Sequence, residues 1–144
     1  MKRSAAVLAV TAALAGLATA APASAAPTGP VGAVVTCGNP GAPGILLTRA
    51  CVRVTGNQVY LYGVATNTDP TWQAQLVTFQ ISGNVVGGAP IAPVAPTVLV
   101  PPGGTTVGGI TTTAPCGATV NAGFSVDQWG WPPSAATVSA VVTC

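Results

Sequence analysis

Apolar and polar residues alternate from Gln75 to Ser82: Val77, Phe79 and Ile81 point one way, Thr78, Gln80 and Ser82 the other. The same alternation runs through T-V-N-A-G-F-S-V, with Val120, Ala122, Phe124 and Val126 against Asn121, Gly123 and Ser125. Near the C-terminal side, Val138, Ala140 and Val142 share one face of a segment from Ala136 to Thr143. A period of two marks strands that pack one face on a core and turn the other to water. Shorter or less regular runs predict further strands over Val31–Thr36, Ile45–Val54, Gln58–Asn67, Thr97–Val100 and Thr105–Thr112. After the first 25 residues no segment carries a helical period. The rest is rich in Val and Thr and is punctuated by Gly and Pro at strand-length intervals, which is the pattern of a sandwich or barrel.

Taken in order, these segments predict an all-β, immunoglobulin-like antiparallel β-sandwich of about 7–9 strands with a doubled first strand. Gln58–Asn67 takes the place of strand B, Gln75–Ser82 of C, Thr97–Val100 of D, Thr105–Thr112 of E, Ala118–Val126 of F and Ala136–Thr143 of G. Chain reversals then put the B–C, D–E and F–G loops at one end and the A–B and E–F loops at the other. The stretch Gly88–Pro96 repeats proline and so cannot be a central strand, because each proline lacks a ladder donor. It is expected to cross between sheets or to form a sheet edge.

The first residues change the picture of where this sandwich works. Met1-Lys2-Arg3 precedes an apolar run from Ser4 to Ala20, followed by A-P-A-S-A-A-P. A basic start, an apolar stretch and a small-residue A-x-A site are the parts of a secretory signal peptide. Cleavage is expected after Ala25, with Ala20 as the second choice, giving a signal over 1–25 and one domain over 26–144. The apolar run is shorter than a comfortable bilayer span and meets Pro22, so no membrane span is expected in the mature protein. Secretion to the cell exterior follows.

Once the signal is gone, Arg49, Arg53, Asp69 and Asp127 are the only charged side chains left, and they cancel. No basic patch remains for nucleic acid. A neutral surface of Thr, Ser, Asn, Gln and Gly suits a carbohydrate, cell-wall or protein partner, or none. Arg49 and Arg53 share the parity of Cys51 and should project from one strand face, either to meet an anionic polymer or to protect a sheet edge. Tyr60 and Tyr62 also share a face, as a stacking platform or as packing beside the sheet.

Four cysteines in a secreted chain imply two disulfides with three possible connectivities. Cys37 and Cys51 are centred on Gly44 in P-G-A-P-G, and Cys116 and Cys144 on Gly130 in W-G-W-P-P. Each pair flanks a turn, which predicts Cys37–Cys51 and Cys116–Cys144. Cys144 shares the parity of Val142, and Cys116 that of Val120, so both are expected on the core side. With no His and no C-x-x-C pair, zinc and other metal sites are not expected, nor is any cofactor.

The wording V-Y-L-Y-G-V-A-T-N-T-D, then a strand, then V-L-V-P-P-G-G-T-T-V, resembles the bacterial cell-adhesion-related Ig-like domains over Val59–Val126. The resemblance implies a first strand running into an Asn-rich turn, and a Pro/Gly turn joining two later strands. The cysteine pairs lie outside that pattern. The signal, the Ala/Gly/Thr/Val bias and the lack of lysine after Lys2 also resemble small secreted proteins of actinobacteria.

The stretch D-Q-W-G-W-P-P-S holds Trp129, Trp131 and Asp127 in the F–G loop, while Trp72 and Asp69 lie in T-D-P-T-W, the B–C loop. The lettered order thus brings all three tryptophans and both carboxylates to the end that such sandwiches often use for binding. Aromatic faces beside a carboxylate suit a sugar ring, a peptide or an apolar small molecule. The competing structural role is a cap on the open end of the core. Trp129 is expected to be the more exposed of its pair, and Trp131, held extended before Pro132, the more buried.

Catalysis has little to work with. The chain has no His or Glu, and no Lys after Lys2, so neither a Ser-His-Asp nor a Cys-His site can be assembled. Asp69 and Asp127 could act only as a glycosidase pair, on a domain with no evident cleft. The sequence therefore predicts no catalytic residues. It points to a secreted, non-enzymatic module that acts by binding or cell-surface association. A small inhibitor of an extracellular hydrolase, inserting the Trp129–Pro133 loop, and a carrier of an apolar small molecule are the alternatives.

Overall fold

A computed structural model describes residues 32–128 and 130–144, so the signal segment, its cleavage point and Trp129 lie outside the described residues. Nine strands form two sheets, and among the described residues there is no helix. The first sheet contains β1 (Val34–Cys37), β2 (Leu46–Thr55), β3 (Gln58–Asn67) and β7 (Thr105–Thr113), in the order β1-β2-β3-β7. The second contains β4 (Gln75–Val85), β5 (Pro90–Val94), β8 (Thr119–Val126) and β9 (Ala135–Val141), in the order β5-β4-β8-β9, with β6 (Thr97–Val100) also on β4. All pairings are antiparallel. The doubled first strand is present as β1 and β2.

The alternations decide which faces meet. Val59, Leu61 and Ala65 of β3, Val77, Phe79 and Ile81 of β4, and Val120, Ala122 and Phe124 of β8 are all buried. Phe79 and Phe124 stack at 4.9 Å between centroids in the middle of this core. Gly63 lies across from them. A Cβ on Gly63 would overlap the Phe124 ring, so a glycine there lets that ring lie against the backbone of β3.

One strand assignment changes, and one open alternative is decided. Thr97–Val100 does not take place D beside E. It pairs with β4, Gln75 facing Val100 and Thr78 facing Thr97, and so belongs to the sheet of C, F and G. The stretch Gly88–Pro96 takes the edge alternative and contains β5, with Asn84 facing Pro90 and Ile81 facing Val94. Between β5 and β6, Phe79 N donates to Pro96 O at 2.9 Å. Proline can accept there without having to donate, and an edge position tolerates the missing N–H groups. One edge of β4 is thus covered by two short strands in series.

The bridges are Cys37–Cys51 and Cys116–Cys144. Cys37 stands directly opposite Cys51 in the β1–β2 ladder, with Cα atoms 4.1 Å apart. The second pair corrects the expectation of core-side cysteines: Cys116 and Cys144 are both exposed. They lie just beyond the ends of β8 and β9, where strand parity no longer fixes side-chain direction.

In β7, Leu61 faces Ile110 while Gly63 faces Val107, so β7 carries one extra residue in a bulge at Gly108–Gly109. Gly109 N donates to Tyr60 Oη at 3.1 Å, and a Cβ on Gly109 would run into the Leu61 carbonyl. The bulge therefore depends on glycine.

Candidate functional site

The ladders bring four connections to one end. Leu46 faces Asn67, which sets residues 38–45 beside residues 68–74. Gln75 faces Val100, which adds the turn at residues 101–104, and Phe79 faces Val126, which adds residues 127–134. The lettered order anticipated three of these; the loop after Cys37 is the addition.

Trp72 and Trp131 meet at this end, edge to face, with centroids 6.1 Å apart and planes at 80°. Both are half-buried. Trp131 packs against the core, and its ring lies over Gly44, about 3.4 Å from where a Cβ would sit. Gly44 has φ of 58°, in the left-handed region that glycine enters freely. The P-G turn and the W-P-P segment, far apart in sequence, thus form one surface. Ser134 Oγ ties them by accepting from Ala42 N at 3.0 Å. At the other side of the loop, Asp127 N donates to Thr78 O at 2.8 Å, and Gln128 Oε1 accepts from Thr78 N at 3.2 Å.

The carboxylates are used differently. Asp127 stands exposed at the end of β8. Asp69 Oδ1 accepts from Thr71 N at 2.8 Å and from Thr71 Oγ1 at 2.7 Å, while Asp69 N donates to Asn67 Oδ1 at 2.9 Å. These bonds make a tight turn before Trp72, whose N donates to Asp69 O at 3.2 Å. The Thr71 hydroxyl first, and then the Thr71 amide, hold the Asp69 carboxyl below its ordinary range. A general acid needs the opposite shift, so Asp69 is poorly suited to that role.

The lowered folded pKa has a testable consequence. The turn's contribution from ionised Asp69 is fully present above the unfolded value of about 3.9 and is lost as pH falls through the lower folded value. An NMR titration of the Asp69 carboxyl carbon should have its midpoint below that of an unstructured aspartate. Thr71→Val should move it upward, and an unmoved midpoint would show that the Thr71 hydroxyl is not the cause.

Three polar atoms near this end are buried without a hydrogen-bond partner among the described residues: Thr48 Oγ1, Asn67 Nδ2 and Trp72 Nε1. Beside the loops, Leu76 and Leu99 face each other across β4 and β6 and are 63% and 56% exposed. The alternation did not single them out, because their pairing depends on the unexpected place of β6.

Elsewhere, Arg49 and Arg53 project from the outer face of β2 as expected. Tyr60 and Tyr62 stack at 5.5 Å on the neighbouring strand, with the Arg53 guanidinium 5.2 Å from the Tyr60 centroid. A shallow concavity of about 440 Å³ lies on the outer face of β4, β8 and β9, lined by Ser82, Asn84, Asn121, Gly123, Thr137 and Ser139 among others. It is remote in the ladder from the tryptophans, and its open, uncharged floor matches the solvated face of an antiparallel sheet. Among the described residues, no group of three or more His, Cys, Asp or Glu could hold a metal ion, and no helix is long and apolar enough to cross a membrane.

No protein-family model matches the chain. No curated protein matches it in sequence. Among solved structures it is similar to the solution structure of CsgH from R. palustris, at 15% identity and a TM-score of 0.42, covering 73% of this chain and 91% of that one.

Proposed function

We propose that this chain is a secreted, non-enzymatic Ig-like module that binds a neutral partner at the tryptophan loop end. The observation that carries the reading is Trp72. Its ring meets Trp131 edge to face, while its indole N–H is buried with no acceptor among the described residues. A buried donor without an acceptor is costly, and a ligand oxygen entering between the loops would satisfy it. The exposed Leu76–Leu99 pair supplies apolar contact beside that point. Two disulfides are in keeping with export to an oxidising compartment, and a surface with so few charges favours a neutral glycan or cell-wall polymer over a charged one.

The test is co-sedimentation of the signal-free protein with insoluble cell wall and with neutral polysaccharides. Trp72→Phe keeps a ring against Trp131 but removes the N–H. It should reduce retention about tenfold or more, as expected for one buried hydrogen bond of ~1.4 kcal/mol or more. Retention that survives Trp72→Phe and also a paired Leu76→Ser and Leu99→Ser change would move the binding site elsewhere.

A second reading is favoured by the way Asp127 and Gln128 are bonded to Thr78 and Ser134 to Ala42. Flanks anchored in advance lower the entropy lost on entering an enzyme cleft, which suits a hydrolase inhibitor. Inhibition of a secreted hydrolase by the protein, abolished by Trp129→Ala, would favour that role over polymer binding.

A further inference from the structure

Each sheet has two edges whose backbone groups could pair with another chain; both edges of the second sheet are blunted, and β1, at one edge of the first, is only four residues long. β5 and the break before β6 carry Pro90, Pro93 and Pro96. β9 is approached by Gly38, where a Cβ would strike the Thr137 carbonyl. β7 is different. It spans nine residues, holds no proline or charge, and among the described residues pairs on one side only, with β3. A long uncharged edge is a template for another strand.

Its sequence is also nearly palindromic: T-T-V-G-G-I-T-T from Thr105 to Thr112, with the bulge at the centre. Thr105, Val107, Ile110 and Thr112 oppose Ala65, Gly63, Leu61 and Val59 and so face inward, whereas Thr106 and Thr111 are exposed on the outer face. Ala114 N donates to Asn57 O at 3.0 Å. Alternating from there, Thr112 and Ile110 bond to β3 and Thr111 turns its backbone groups to the open edge. Beyond the bulge, the inward Val107 and Thr105 bond to β3, and Thr106 faces the edge.

We propose that β7 pairs antiparallel with β7 of a second copy across a two-fold axis between Gly108 and Gly109, joining two four-stranded sheets into one. That axis sets Thr106 opposite the partner's Thr111, Val107 opposite the partner's Ile110 and Thr105 opposite the partner's Thr112. In every pair, inward meets inward and outward meets outward. The bulge is what allows this. In a regular strand, an axis between two residues sets inward residues opposite outward ones, and the extra residue restores the phase. Thr106 and the partner's Thr111 both have free edge-facing groups, so they can exchange both backbone hydrogen bonds. Because β7 starts at the tryptophan end, the two copies present those ends in opposite directions.

Sedimentation equilibrium of the signal-free chain from micromolar to millimolar concentration tests this. The wild type should rise from one chain mass to twice that mass. Thr106→Lys with Thr111→Lys places like charges opposite each other and should hold the protein at one chain mass. Thr106→Lys with Thr111→Glu places opposite charges in the same pairs and should recover the doubled mass. Both positions are exposed, so circular dichroism and melting should be near those of wild type. A wild type of single mass throughout, a Lys/Lys variant that still doubles, or a folded Lys/Glu variant that does not, overturns the proposal. Should a variant fail to fold, wild-type amide exchange decides: Thr106 and Thr111 must slow as concentration rises, and concentration-independent exchange overturns the pairing.

Discussion

Removing both disulfides should lower the unfolding free energy by about 6 kcal/mol. The closed loops have sequence separations of 14 and 28. Chain entropy assigns them roughly 3 and 3.5 kcal/mol, and loops that do not overlap should add. Small domains hold about 5–15 kcal/mol in total, so the reduced protein should sit close to its own unfolding midpoint. The replacements matter. Cys116 and Cys144 are exposed and accept serine cleanly, whereas Cys51 is fully buried, and alanine there avoids burying a hydroxyl. Urea melts of the two paired variants should rank Cys116–Cys144 as the costlier loss by about 0.5 kcal/mol. A loss below about 1 kcal/mol for that pair would mean that the unfolded chain already holds the loop nearly closed.

Gly63→Ala should cost about 3 kcal/mol, at the upper end for one added methyl group in a packed core. The methyl would enter the Phe124 ring, and that ring has little room to retreat because Phe79 stacks on it at 4.9 Å. Phe124→Ala should also cost about 3–5 kcal/mol by leaving a cavity. The informative variant combines Gly63→Ala with Phe124→Leu. A smaller side chain makes room for the methyl, so the double variant should be more stable than the two single costs predict, by about 1–2 kcal/mol. Additive costs would show that the ring and the β3 backbone are not in the contact described.

The same two phenylalanines show what could be read from sequence. Phe79 and Phe124 sit in clean alternations, and both proved buried together with Val77, Ile81, Val120 and Ala122. Cysteine spacing about Gly44 and Gly130 gave the right disulfides, because each turn sits inside its own closed loop. The errors have physical causes. Thr97–Val100 has the local pattern of any short strand, and nothing within it states which sheet it joins. Cys116 and Cys144 lie past the strand ends, where the backbone no longer alternates and parity no longer sets side-chain direction. The bulge at Gly108–Gly109 shifts phase without leaving a periodic trace. In the candidate site, the gathering of Trp72 and Trp131 followed from strand order. The contact of Trp131 with Gly44 did not, because it depends on a loop nearly ninety residues away along the chain.

The placement of the disulfides also decides how the sandwich would bear a mechanical load. Tension applied between residues 37 and 144 passes from Cys37 to Cys51, along the chain to Cys116, and across to Cys144. Residues 38–50 and 117–143 hang outside that path. At ~3.5 Å per residue, on the order of 140 Å of chain cannot be drawn out while the bridges are intact. The two shielded loops hold Gly44 with Ala42 on one side and Trp131 with Ser134 on the other, the partners that close the tryptophan end. Under a pulling force, the strands between β2 and β7 would therefore be stripped first, while the Trp131–Gly44 contact would carry no tension along its own backbone.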